Sequence, residues 1–174
     1  MQKPVPYSKA FAARPPREVV IGIAKDVQGK YNPITLGMFT HVANEPPVLA
    51  VAIARQQYSL GAFRLAKEFV IALPGESQAQ ETMLYGTKSG RDCDKLALAG
   101  AKTAPATKID CVLLTDAAAN YECKLIAETA AGNHVVLFGE VLAAHVADPP
   151  VRRLYILGPG YRMGPVPSGI LTCT

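Results

Sequence analysis

Tryptophan is absent from this sequence, and so is any Cys-x-x-Cys pair. The four cysteines stand at positions 93, 111, 123 and 173, without the close ligand pairs of a zinc site, so no metal centre is expected. No apolar run reaches the ~18 residues of a membrane-spanning helix. The opening stretch, 1–6, has no apolar leader core. A reducing cytoplasm with free thiols is therefore the expected setting, with no membrane partner. The net charge of +4 and a pI near 8.9 mildly favour anionic ligands. No dense Lys/Arg stripe interleaved with aromatics is present, which argues against nucleic acid. Neither Gly-x-Ser-x-Gly nor His-Glu-x-x-His occurs, which removes two common hydrolytic constellations. Gly158, Gly160 and Gly164 miss the dinucleotide-binding spacing.

What is present points to strands. The 174 residues are 49% hydrophobic and 18% charged, enough to bury a core as a single domain over 1–174. Fourteen Gly and fourteen Pro fall between apolar runs, as in a strand-rich fold with many turns. Residues 1–16 read as extended. Residues 18–25 and 31–42 read as a hairpin around Gly29, and 48–54 as a buried strand. A helix is predicted over 59–68 and a strand over 69–73. Ser77 and Gln80 form a capping-box pattern that opens a helix to Tyr85, and a short helix follows over 92–98. Residues 100–110 read as a loop. Strands over 121–130 and 134–146 are joined by the turn Ala131-Gly132-Asn133, and 153–157 is the last strand. The fold class expected is mainly β with inserted helices, a barrel rather than a doubly wound sheet.

Three segments carry chemistry. Residues 86–92 (Gly-Thr-Lys-Ser-Gly-Arg-Asp) offer the cations Lys88 and Arg91, the Ser89 hydroxyl and glycines that free backbone N–H groups. A helix follows in the pattern, so its positive end would face an anion such as a phosphate. The spacing is not that of a P-loop, and an exposed polar turn has the same composition. Residues 32–38 (Asn-Pro-Ile-Thr-Leu-Gly-Met) alternate polar and apolar groups, and Gly37 would let a flat ring approach the backbone. An ordinary half-solvated strand reads the same way. His134 follows a turn and is placed to donate a hydrogen bond or tune a proton transfer, although a solvated histidine would sit there equally well. His41 and His145 show less reason for a role. Cys111 and Cys123 read as small core hydrophobes.

Taken together, these segments resemble the flavin reductase-like family, the FMN-binding split β-barrels that include the flavoredoxins. The likeness runs from about Arg14 to Gly160. It is carried by 29–37 (Gly-Lys-Tyr-Asn-Pro-Ile-Thr-Leu-Gly), 45–53 (Glu-Pro-Pro-Val-Leu-Ala-Val-Ala-Ile), Tyr58-Ser59, 86–92 and Asp94-Lys95. It continues through 120–124 (Asn-Tyr-Glu-Cys-Lys) and 132–141, which begins Gly-Asn-His and ends Gly-Glu-Val. The resemblance implies a homodimer with FMN near its interface. It implies that Asn32, Pro33, Ile34, Thr35, Leu36, Gly37 and Met38 meet the isoalloxazine ring. Ser59, Lys88 and Ser89 would lie toward the ribityl phosphate, Tyr161 would supply an aromatic from the tail, and His134 would act as the catalytic group near flavin and nicotinamide. Met38 stands where many relatives carry Trp, which leaves one ring face less covered. Asn133 replaces the usual Asp beside that histidine, which bears on nicotinamide binding. Three activities fit the resemblance: an NAD(P)H:flavin oxidoreductase that feeds a partner monooxygenase, an electron carrier that keeps its FMN and serves a redox partner protein, and a non-catalytic FMN or haem binder.

Overall fold

Residues 19–24 are buried along their whole length, with Val19, Val20, Ile21, Ile23 and Ala24 all fully covered. A strand covered on both faces needs a layer on each side. The alternation of the strand divides those layers. Val20 and Ala24 join an inner cluster with Phe63, Phe69 and Leu137. Ile21 and Ile23 join an outer one with Tyr85, Leu114 and Cys111. Phe69 and Ile71 repeat the inner choice, and Val70 and Ala72 the outer.

The structure, a computed structural model, describes residues 2–166. In chain order the elements are α1 (Tyr7–Phe11), β1 (Arg17–Glu18), β2 (Val20–Lys25), β3 (Tyr31–Leu36), β4 (Phe39–Asn44), β5 (Pro47–Ala54), α2 (Tyr58–Ala66) and β6 (Glu68–Leu73). Then come α3 (Ala79–Thr87), α4 (Lys95–Ala99), β7 (Thr103–Pro105), β8 (Val112–Leu114), β9 (Ala119–Ala131), β10 (His134–Val146), β11 (Tyr155–Gly158) and β12 (Arg162–Gly164). The fold is mainly β with inserted helices, as the sequence predicts. None of the described helices is long and apolar enough to cross a membrane.

The principal sheet has seven strands in the order β3-β2-β6-β9-β10-β5-β4. Its two outer strands, β3 and β4, are consecutive in sequence and joined only by Gly37 and Met38. So short a link forces the sheet to curl until its edges meet, which makes a barrel. Helix α2 packs into the curl through Leu60, Ala62 and Phe63. Glycine at position 22 of β2 is required by that packing: a Cβ there would lie 2.8 Å from the Phe63 ring. Outside the barrel, β1, β11 and β12 form a small sheet, and β7 pairs with β8.

Several expectations need correction. Residues 31–42 are two strands: β3 pairs with β2, and after Gly37-Met38 the chain crosses to β5 as β4. The N-terminal segment, read as extended, holds the one-turn helix α1. The capping function belongs to Gln78, whose Oε1 accepts from the Gly75 N–H at 3.0 Å, rather than to Ser77 and Gln80. A short turn, Glu76–Gln78, then leads into α3. The stretch read as a loop over 100–110 contains β7, and 153–157 is followed by a further strand, β12. Cys173 lies outside the described residues.

Candidate functional site

Strand β3 positions the site by alternation. Ile34 and Leu36 enter the inner core. On the opposite face, the Thr35 hydroxyl donates to the Thr82 carbonyl in α3, which fixes α3 beside the strand. At the other end of β3, the buried Asn32 Nδ2 donates to Ser59 Oγ at 2.8 Å, tying β3 to the first turn of α2.

Two cavities meet at this strand. The first is small, about 50 Å³, and polar; its walls include Ser59, Tyr85, Lys88, Ser89 and Lys95. The second is wider, about 440 Å³, and largely apolar; its walls include Phe11, Met38, Met83, Ile156, Tyr161 and Met163. Thr35 and Gly86 line both, so the two form one bent cleft. A Cβ at Gly86 would stand 3.3 Å from the Thr35 Cβ, so any side chain there would fill the junction.

The polar end suits an anion, although the helix that supports it is not the expected one. Residues 86–92 begin in the last turn of α3, with Lys88 as its C-cap, and the next helix, α4, starts only at Lys95 and has five residues. The positive helix end comes from α2 instead: its N-cap, Gln57, makes no side-chain cap, and its first turn carries no acid. Unsatisfied N–H groups and the helix dipole there favour negative charge. Lys95 adds a cation that lies almost fully buried, with its ammonium 3.4 Å from the Tyr85 carbonyl. Burial pulls its pKa down from the ordinary lysine value to about 8.

Three buried polar atoms around the cleft lack a partner: Asn32 Oδ1, Thr82 Oγ1 and the Tyr85 hydroxyl. Buried polar groups are seldom left unpaired, and a ligand with polar edges would satisfy them.

The structure brings most of the predicted residues together. Ile34, Thr35, Ser59, Lys88 and Ser89 line the polar pocket, and Gly37, Met38 and Tyr161 the apolar slot. Asn32 is buried behind the pocket against Ser59. Pro33 and Leu36 are buried and line neither cavity. His134 is also elsewhere. It opens β10 opposite Ala54 of β5, with Nδ1 2.7 Å from Asn133 Oδ1, and lines neither part of the cleft. Sequence reasoning assigned no role to Lys95, Tyr85, Thr82 or Phe11. Lys95 left a signal: it lies four residues before Ala99, which packs on the outer core, so a charge occupies the apolar face of its helix. Phe11 left none, since α1 has no buried residue of its own.

Known proteins share this architecture. The flavoredoxin of Methanosarcina acetivorans superposes with a TM-score of 0.85 at 19% identity, over 99% of this chain and 95% of that one. The fold is thus the split barrel seen in that protein. In sequence, the chain is 31% identical over 144 residues to the actinorhodin polyketide dimerase of Streptomyces coelicolor, covering 83% of this chain and 78% of the relative. It is also 31% identical over 114 residues to an NADH-dependent FMN reductase of Variovorax paradoxus, covering 66% of this chain and 61% of the relative. The flavin reductase-like domain matches residues 12–162, a span that holds β1 to β11 and nearly every residue of the cleft, and the chain therefore belongs to the flavin reductase-like domain family.

Proposed function

We propose that the chain binds FMN in the bent cleft and works as an NAD(P)H-dependent flavin reductase. The observation that carries this reading is the union of two unlike cavities at Thr35 and Gly86. One is cationic and small, fit for a phosphate. The other is apolar and wide, fit for a flat ring system. The unpaired Thr82 hydroxyl at the slot and the unpaired Tyr85 hydroxyl at the pocket match a ligand with a polar edge and a polar tail. An FMN reductase among the relatives supports the same choice.

Bound FMN would supply the redox chemistry, accepting hydride from a nicotinamide. The protein's part is position and electrostatics. Lys88, Lys95, Ser89 and the start of α2 would hold the phosphate. Free backbone N–H groups of the 32–38 stretch would donate to the polar edge of the ring, where hydrogen bonds stabilise developing negative charge, while the Thr35 hydroxyl, whose proton goes to the Thr82 carbonyl, is left to accept. Phe11, Met38 and Tyr161 would wall the ring from water. A homodimer belongs to this reading: Met38, Val42 and Leu142 expose 42%, 48% and 39% of their surface, and a second copy would cover them. So does a reducing cytoplasm, which keeps Cys93, Cys111 and Cys123 as the free thiols they are. The acceptor would be a monooxygenase or another redox partner.

One observation favours a second reading, an electron carrier with resident FMN: His134, the group expected to hold the nicotinamide, does not line the cleft. Protein loaded with FMN, freed of excess by gel filtration and titrated anaerobically with NADH and then NADPH separates the two. Bleaching of the flavin band at turnover rates is expected for the reductase. Retained but unbleached flavin would assign the carrier, and protein that takes up no flavin would refute both.

A further inference from the structure

The wall of the apolar slot holds one charged residue, Arg17. Strand β1 puts it there. Arg17 stands opposite Ile156 of β11, and both line the slot. Strand alternation turns the next residue, Glu18, the other way. Glu18 is taken by Arg153, whose Nη1 donates to its Oε1 at 2.9 Å, so the neighbouring acid does not neutralise Arg17. Among the described residues, no carboxylate pairs with Arg17. None lines the slot, nor the smaller chamber of about 130 Å³ that shares Phe11, Arg17 and Tyr161 with it. The half-buried side chain is also held in place. Its Nη1 lies against Gly37, where a Cβ would stand only 2.6 Å away, so glycine at 37 makes room for this cation. The Phe11 ring flanks it, with its centre 5.9 Å from the Arg17 Cζ. An unpaired charge in a largely apolar slot is screened less than one on the open surface, and it acts strongly on any charge that appears there.

Resting on the reading that FMN sets its ring in this slot, we propose that Arg17 tunes the redox potential of the flavin by favouring the reduced ring over the oxidised one. Hydride transfer brings two electrons and one proton to a neutral ring. The reduced ring therefore carries one negative charge, and the nicotinamide leaves as its cation. Arg17 keeps its own charge at any working pH. It stands in place before the new charge develops, so little reorganisation is needed when it does. Lys88 and Lys95 line the polar pocket, not the slot, and face a phosphate whose charge is the same in both redox states. They set the affinity for FMN, and Arg17 sets the difference in affinity between the two states.

The test is the midpoint potential of FMN on the protein, set by equilibration with a reference dye, together with the affinity for oxidised FMN from fluorescence titration. Wild type, Arg17→Gln and Arg17→Lys are compared. Arg17→Gln is expected to hold oxidised FMN within about twofold of the wild type, which also reports an intact fold. It should weaken reduced FMN about tenfold or more, the value of a charge-assisted contact. Each tenfold loss confined to the reduced form lowers a two-electron potential by about 30 mV. Arg17→Lys keeps the charge and should recover most of the potential. Equal losses for oxidised and reduced FMN would make Arg17 a packing residue and overturn the inference. A lysine variant as low in potential as the glutamine one would do the same, because the effect would then follow shape and not charge. So would an unchanged potential with weaker NADH binding, which would give Arg17 to the hydride donor. Wild-type protein that takes up no FMN would instead overturn the parent reading, and this one with it.

Discussion

Lys95 concentrates the electrostatics of the cleft in one residue. Burial lowers its pKa to about 8, so its charge in the free protein begins to fade just above neutrality. A phosphate in the same pocket favours the charged form and draws a proton onto the amine. FMN affinity should therefore stay level up to about pH 8 and fall above it, because binding then requires proton uptake. Riboflavin, which has no phosphate, should show no such fall. Lys95→Met should weaken FMN at neutral pH by about 10-fold or more, the value of a charge-assisted hydrogen bond, and should abolish the slope. Isothermal titration at several pH values in buffers of different ionisation enthalpy would count the protons directly. A slope that survives in the methionine variant would assign it to another group.

At the scale of elements, the sequence made strands and hairpins legible because alternation and turn chemistry are local. The pairs β2–β3 and β9–β10 fall where the turns at Gly29 and Gly132 put them. The break at Gly37-Met38 was not legible. Strand-forming residues run on through 39–42 (Phe-Thr-His-Val), and only the tertiary choice of β5 as partner separates β4 from β3. The site was visible in the same partial way. Lys88, Ser89 and Thr35 stood out by composition, but the helix end that serves them belongs to α2, a neighbour in space and not in sequence. Glu122 shows what such long-range ties contribute. Its fully buried carboxylate on β9 accepts from the N–H groups of Thr107 and Lys108 at 2.8 and 2.7 Å. It also accepts from the Thr107 hydroxyl and from His145 Nε2 of β10 at 2.7 Å, which pins the segment between β7 and β8 onto the barrel. Burial pushes its pKa up, but those N–H groups, with the His145 ring, hold it down at about 2. Its ordinary value is 4.5, so between the two the unfolded chain binds the proton that the folded one refuses. The stabilisation is complete above about pH 4.5 and is lost as pH falls toward 2, on the order of 3 kcal/mol in all. Glu122→Gln should cost about 2 kcal/mol near neutrality and flatten that acid limb, as urea melts at a series of pH values would show. A variant with the wild-type acid limb would place the titration elsewhere.

For the whole molecule, the cleft is a place where distant parts of the chain converge. Phe11 comes from the N-terminal helix, Thr35 and Met38 from the barrel edge, Met83 and Gly86 from α3, and Tyr161 and Met163 from the C-terminal sheet. A ligand that touches all of these binds the folded chain and has little to hold in the unfolded one. It should therefore stabilise the protein by mass action. At a free FMN concentration of a hundred times Kd the gain is about 2.7 kcal/mol. For a domain of this size that corresponds to a rise in Tm of roughly 5–10 °C. The phosphate is what should tie the ligand to the α2–α3 side, so Lys88→Ala should lose most of the shift with FMN at the same concentration. With riboflavin, which engages only the apolar slot, the variant and the wild type should melt alike. Differential scanning calorimetry of the four combinations decides the matter. An FMN shift that survives Lys88→Ala would remove the phosphate from this pocket. A shift absent from all four would mean that flavin is not what brings these elements together.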